Sequence, residues 1–90
     1  MKKSATRLFR IYTEDKNYER IILPLLSVSF DGFSVYKGIG YWQGQKEKSL
    51  LIEIYTNNQN IIKAIAERIK HHNKQEAVLV TETECKIELV

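Results

Sequence analysis

Ninety residues make a single domain, residues 1–90, able to bury roughly 60 to 65% of its unfolded surface around one modest core. Fourteen basic and eleven acidic residues are mixed along the chain to a net charge of +3, which allows an anionic partner but lacks the clustered stripe of a dedicated nucleic-acid binder. The one cysteine, Cys85, excludes an internal disulfide, and no run approaches the roughly 20 apolar residues of a membrane span, so a reduced, soluble, cytoplasmic chain without membrane insertion is expected.

In chain order, Met1-Lys2-Lys3 opens like a secretory leader, but Ser4-Ala5-Thr6-Arg7 interrupts the apolar run that a leader needs. Residues 6–13 read as a first strand, with Phe9 and Ile11 alternating against Arg7, Arg10 and Tyr12. Asp15 or Asn17 then caps a helix whose Tyr18, Ile21, Ile22, Leu25 and Leu26 recur at helical spacing. Pro24 falls inside it, where proline costs about 3 kcal/mol, so a kink or early fraying is expected there.

Residues 30–45 hold every glycine and the only tryptophan. After the turn signal Asp31-Gly32, alternation puts Phe33, Val35, Ile39 and Tyr41 on one side of a second strand and Ser34, Tyr36, Gly38, Gly40 and Trp42 on the other. Glycines between large aromatics leave backbone exposed where either a ligand or another chain comes close. Residues 43–48 read as a polar loop leading to a third strand over 49–56, antiparallel to the second. A second helix follows Thr56-Asn57-Asn58, with Ile61, Ile62, Ile65, Ala66 and Ile69 inward, and ends near His71-His72-Asn73, where the basic side chains suit the helix dipole. Residues 77–81 form a fourth strand. Cys85, Ile87 and Leu89 alternate in the opposite phase to Val78 and Val80, which predicts a bulge or bend over 81–84 and a separate fifth strand that pairs with another subunit.

The order predicts an α+β fold: a ferredoxin-like βαββαβ sandwich with two helices on one face of an antiparallel sheet and an extra C-terminal strand. The other face then carries Leu8, Arg10, Tyr12, Tyr36, Trp42, Leu51 and Tyr55, which is too apolar for water and calls for a closed oligomer.

Several stretches carry a resemblance. Gly38-Ile39-Gly40-Tyr41-Trp42-Gln43-Gly44 resembles the base of the T-loop of PII signalling proteins, with the glutamine one place later. Tyr41-Trp42-Gln43-Gly44, with Leu51, Ile52, Glu53, Thr56 and the isoleucine-rich helix, resembles the trimeric CutA proteins. Arg7-Leu8-Phe9-Arg10-Ile11-Tyr12 with Gly32-Phe33-Ser34-Val35-Tyr36-Lys37-Gly38-Ile39 is similar to PII-like proteins of bacteria and archaea. The resemblance implies a homotrimer with a small ligand such as a nucleotide at its inter-subunit clefts. This chain departs from the PII pattern in two places: a short hairpin stands where PII has its long T-loop, and His71-His72-Asn73-Lys74-Gln75-Glu76 replaces the glycine-rich phosphate loop. The early Ala-Cys segment and the aromatic C-terminus of CutA are missing, so the metal association of that family carries over to no residue here.

Function is therefore expected at the glycine-bearing strand. Lys37, Gly38, Gly40, Trp42, Gln43 and Gly44 are the candidate ligand-binding residues, offering backbone donors, an amide, a ring and a positive charge to a flat anion. Tyr36, Trp42, Cys85, Ile87 and Leu89 are the candidate subunit interface. No Ser/His/Asp set, Cys-x-x-Cys or apolar-flanked carboxylate pair supports catalysis, no cofactor is implied, and adjacent His71 and His72 diverge by about 100° on a helix, which makes no metal clamp. The runner-up is a nucleic-acid-binding ferredoxin-like module. Residues 37–44 partly fit the octapeptide of RNA-recognition motifs, but Ile39 and Gly44 replace required aromatics and the segment falls on the second strand instead of the third.

Overall fold

The computed structural model describes residues 2–90, with side chains from residue 5 onward. Met1, the first residue of the leader-like start, lies outside them. Four strands, β1 (Lys2–Glu14), β2 (Ser34–Trp42), β3 (Gln45–Tyr55) and β4 (Leu79–Leu89), form one antiparallel sheet in the order β2-β3-β1-β4. Helices α1 (Leu23–Ser29) and α2 (Gln59–Asn73) lie on one face, as the ferredoxin-like pattern predicts. The core is the layer between them: Phe9 and Ile11 of β1, Leu50, Ile52 and Ile54 of β3, Ile22 and Leu26 of the first helical segment and Ile62, Ile65 and Ile69 of α2 are all buried. Strand alternation and helical spacing thus deliver the same residues to one interior from both layers.

The first helix is not one continuous α-helix. Tyr18–Ile22 winds as a π-helix before α1 begins, and Pro24 sits in the first turn of α1. The change of winding lets proline occupy an early position, where a missing N–H costs least. Neither proposed cap acts as one. Asn17 stands at the N-terminus with φ 55° and makes no side-chain cap bond. Its Nδ2 donates instead to Asn73 Oδ1 at 3.3 Å and to the His72 carbonyl at 3.4 Å. At α2, by contrast, Asn58 Oδ1 accepts from the Ile61 N–H at 3.1 Å. That helix closes on Lys74 in the left-handed region, φ 54°, whose N–H reaches the carbonyls of His71 and Lys70.

Two expectations are corrected. Residues 43–48 are not a loop: only Gln43 and Gly44 turn, with φ of 50° and 78°, the type I′ geometry of a two-residue hairpin, and Gln45 already pairs with Trp42. The extra C-terminal strand does not exist either. β4 pairs with β1 without interruption from Tyr12↔Leu79 to Lys2↔Leu89, so no bulge interrupts residues 81–84. The phase change has another cause. At about 3.3 Å per residue the 13-residue β1 outruns the 15-residue α2 at about 1.5 Å per residue. Val78 and Val80 face the helix layer and pack against the core; Glu82 follows on that face at the rim of α2, and Glu84 and Lys86 continue it, while Cys85, Ile87 and Leu89 face the other way.

Candidate functional site

The open face of the sheet is built in rows by the strand registers. Tyr36, Leu51, Tyr12 and Leu79 stand side by side across all four strands. Ser34, Glu53, Arg10 and Thr81 form the next row, where Arg10 Nε donates to Glu53 Oε2 at 2.8 Å; this bond holds the guanidinium charge and raises its pKa. Tyr55, Leu8 and Thr83 form the row after that. All seven residues assigned to this face from alternation lie on it. Tyr36, Trp42 and Tyr55 are each more than half exposed, at 52%, 57% and 55%.

The structure divides the candidate ligand set. Tyr36, Gly38, Gly40 and Trp42 share the open face of β2, and Gln43 and Gly44 form the exposed hairpin turn beyond them. Lys37 lies on the opposite face. Its Nζ sits 3.9 Å from Asp15 Oδ2 and 5.5 Å from the centre of the Tyr18 ring, so its charge does not point at the glycines. The backbone donors of Gly38 and Gly40 are also spent. In a two-residue hairpin Trp42 and Gln45 exchange bonds, and so does each second pair after them, which commits Gly40 to Glu47 and Gly38 to Ser49. The groups left on the free edge belong to Val35, Lys37, Ile39 and Tyr41.

What the glycines leave is a hollow floored by Ser49. A Cβ on Gly40 would stand 3.4 Å from Ser49 Cβ, and one on Gly38 3.9 Å from Ser49 Oγ, so neither glycine is demanded by packing within the chain. The rim carries Glu47, Glu14 and Lys16, with Lys16 Nζ 2.8 Å from Glu14 Oε2. Burial, with the neighbouring Glu14 carboxylate and a hydrogen bond to it, pushes the Glu47 carboxyl above the ordinary carboxylate range. These rim residues escape a reading from sequence because Gln45–Lys48 looks like a polar loop. Only the register places Glu47 opposite Gly40.

Cys85, Ile87 and Leu89 lie on the same open face as Tyr36 and Trp42, but on the far edge strand, with β3 and β1 between. Within one chain the two halves of the candidate interface therefore do not meet. His71 and His72 are exposed in the last turn of α2, their rings edge to face at 5.5 Å. Among the described residues no group of three or more His, Cys, Asp or Glu side chains is placed to hold a metal ion, and no helix is long and apolar enough to cross a membrane. A groove of about 380 Å³ lies on the helix side between α2 and β4, lined by Ile62, Ala66, Val78 and Val80 and by Lys63, Lys70 and Glu82.

The chain matches no protein-family model and no curated protein. Solved structures do match. A nitrogen regulatory PII-like protein, CPII of Thiomonas intermedia K12, solved with ADP, AMP and bicarbonate, aligns over 99% of both chains at a TM-score of 0.70 and 11% identity. The GlnK–ATP complex of B. subtilis aligns over 90% of this chain and 82% of its own at 0.64 and 16%. A phage SAM lyase in complex with S-methyl-5'-thioadenosine aligns over 93% and 90% at 0.62 and 16%. This chain has the ferredoxin-like fold of the PII-like proteins.

Proposed function

We propose that the protein is a non-catalytic PII-like protein that assembles as a homotrimer and holds a small anionic, nucleotide-like ligand at its inter-subunit clefts, in a sensing, regulatory or scaffold role. One observation carries the reading: Gly38 and Gly40 open a hollow beside Tyr36 and Trp42 that nothing in the chain itself requires. The likeness of fold to proteins solved with ADP, AMP or ATP supports the choice of ligand. The apolar open face supports assembly, because rows such as Tyr36, Leu51, Tyr12 and Leu79 are costly to leave in water.

Native mass spectrometry of protein taken from cells tests oligomer and retained ligand together, and thermal shift with ADP, AMP and ATP tests affinity. A trimer with a nucleotide-dependent rise in melting temperature is expected. A monomer at micromolar concentration, or salt-sensitive binding to oligonucleotides with no response to nucleotides, would refute the reading. Because one protein of the same fold is a lyase, incubation with ATP and with S-adenosylmethionine is the check on catalysis. Both should be recovered intact.

A further inference from the structure

The hairpin of β2 and β3 runs past the end of β1, whose last pair with β3 is Glu14↔Ser49, so residues 39–48 form a two-stranded ribbon. Its open side carries Glu47 opposite Gly40. Its other side continues the helix face of the sheet, and there the register gathers Lys37, Ile39 and Tyr41 of β2 with Lys46 and Lys48 of β3. Ile39 stands opposite Lys48 and Tyr41 opposite Lys46. All five side chains are exposed, Ile39 at 62% and Tyr41 at 71%. Among the described residues neither Lys46 nor Lys48 is ion-paired, and Lys37 has only Asp15 Oδ2, at 3.9 Å. The sequence hides this patch, because Lys37 is separated from the other two lysines by the turn and Glu47 interrupts them. Alternation sends Glu47 to the opposite face.

We infer that this face binds single-stranded nucleic acid, with Tyr41 as the stacking platform for a base and Lys37, Lys46 and Lys48 on the phosphates. The inference stands on one chain and is independent of the hollow, which lies on the opposite face of the same strands. Pattern supports it first. The RNA-recognition octapeptide places a cation at its first position and rings at its third and fifth, which share one face of a strand. Those positions here are Lys37, Ile39 and Tyr41, so Tyr41 is the ring that remains for stacking. Charge supports it next. The ribbon's open side meets the carboxyls of Glu47 and Glu14, whereas this side holds only lysines and apolar groups. Lys46 and Lys48 stand about 6.8 Å apart along β3, each beside an apolar side chain of β2, the mixture of cations and exposed ring that a single strand uses. Shape then separates the polyanions. The helices, about 10 Å across, rise from the same face, so a flat bilayer meets them before it meets the hairpin, while a single strand lies in the step. A duplex offers phosphates but no free base for Tyr41.

Fluorescence anisotropy with labelled oligouridylate and oligothymidylate of about 12 nucleotides, from about 50 mM salt upward, tests the site. Both should bind, and the tighter of the two names the strand that the face serves. Log affinity should fall against log salt with a slope of about −2, at about 0.7 for each phosphate met by one of three lysines. Lys46→Gln with Lys48→Gln should bring the slope to about −0.7. Tyr41→Ala should weaken binding by about tenfold to a hundredfold and leave the slope unchanged. These side chains are exposed, so far-UV circular dichroism should match the parent, and any thermal response of the parent to nucleotides should persist in both variants. Absence of binding at the lowest salt, or binding that neither variant alters, overturns the inference. Competition fixes the class of partner: if polyglutamate or phosphatidylserine vesicles displace the labelled strand more readily than unlabelled oligonucleotide does, the face belongs to an acidic protein or a membrane and the nucleic-acid assignment falls.

Discussion

Leu51→Lys tests whether the open face is a subunit interface. Leu51 stands at the centre of the apolar row, opposite Tyr12 on one side and Tyr36 on the other, and is only half-buried in the single chain. In a monomer the lysine can therefore lay its stem along the rings and keep its ammonium in water. In an assembly that buries the face it cannot. Its nearest anion, Glu53, is already held by Arg10 at 2.8 Å. Burying an unpaired ion costs several kcal/mol after relaxation; about 3 kcal/mol per copy gives about 9 kcal/mol per trimer, or between six and seven powers of ten in the trimerisation constant. The concentration of half-dissociation goes as the square root of that constant and should rise about a thousandfold. Sedimentation velocity over a dilution series reads the shift, and far-UV circular dichroism confirms the fold. A trimer that dissociates at the same dilution as the parent would refute the argument.

Three further outcomes follow from the geometry around the hairpin. Gly40→Ala should abolish a nucleotide-induced thermal shift while leaving the monomer fold intact, since the added methyl meets only Ser49 and Glu47 at ordinary contact distance; an unchanged shift would remove the hollow as the site. Gly44→Ala should lower unfolding free energy by about 1 to 2 kcal/mol in urea titration because Gly44 sits at φ 78°, and Gln43→Gly should be neutral or stabilising for the same reason at φ 50°. Glu47 has its carboxyl raised in the folded state, so the native protein holds the extra proton: stability is full below the ordinary carboxylate range and is lost as pH rises through the raised value. Glu47→Gln should flatten that part of the stability–pH curve, and a curve identical to the parent's would show that burial beside Glu14 does not perturb Glu47.

Alternation and helical spacing made most of the fold legible, because burial in a two-layer domain has the same period as the chain's own geometry. Ile52 and Ile54 with Phe9 and Ile11, or Ile62, Ile65 and Ile69, could be assigned inward before any strand was paired, and the buried core contains them all. What failed was whatever depends on register or on where a layer ends. Gln45–Lys48 is polar because Lys46 and Lys48 lie on the helix side of the hairpin beyond the helices and Glu47 on the open side, not because it is a loop. The phase change in β4 likewise marks the edge of the helix layer. A polar run within a strand and a loop have the same composition, and only pairing separates them. The site was legible as a stretch but not as a surface: Gly38, Gly40 and Trp42 share a face, whereas Lys37, one residue away, necessarily takes the other.

That division bears on how an anion could be held. The open face carries Glu14, Glu47 and Glu53 against Arg10 and Lys16, and both cations are already ion-paired there, to Glu53 and Glu14. Among the described residues Arg10 and Lys16 are thus both held by carboxylates, and Lys37 lies across the strand beside Asp15. Recognition of an anion on this face would be directional instead: the rings of Tyr36 and Trp42 suit a flat group, and the Ser49 hydroxyl beside Gly38 and Gly40 can donate a hydrogen bond.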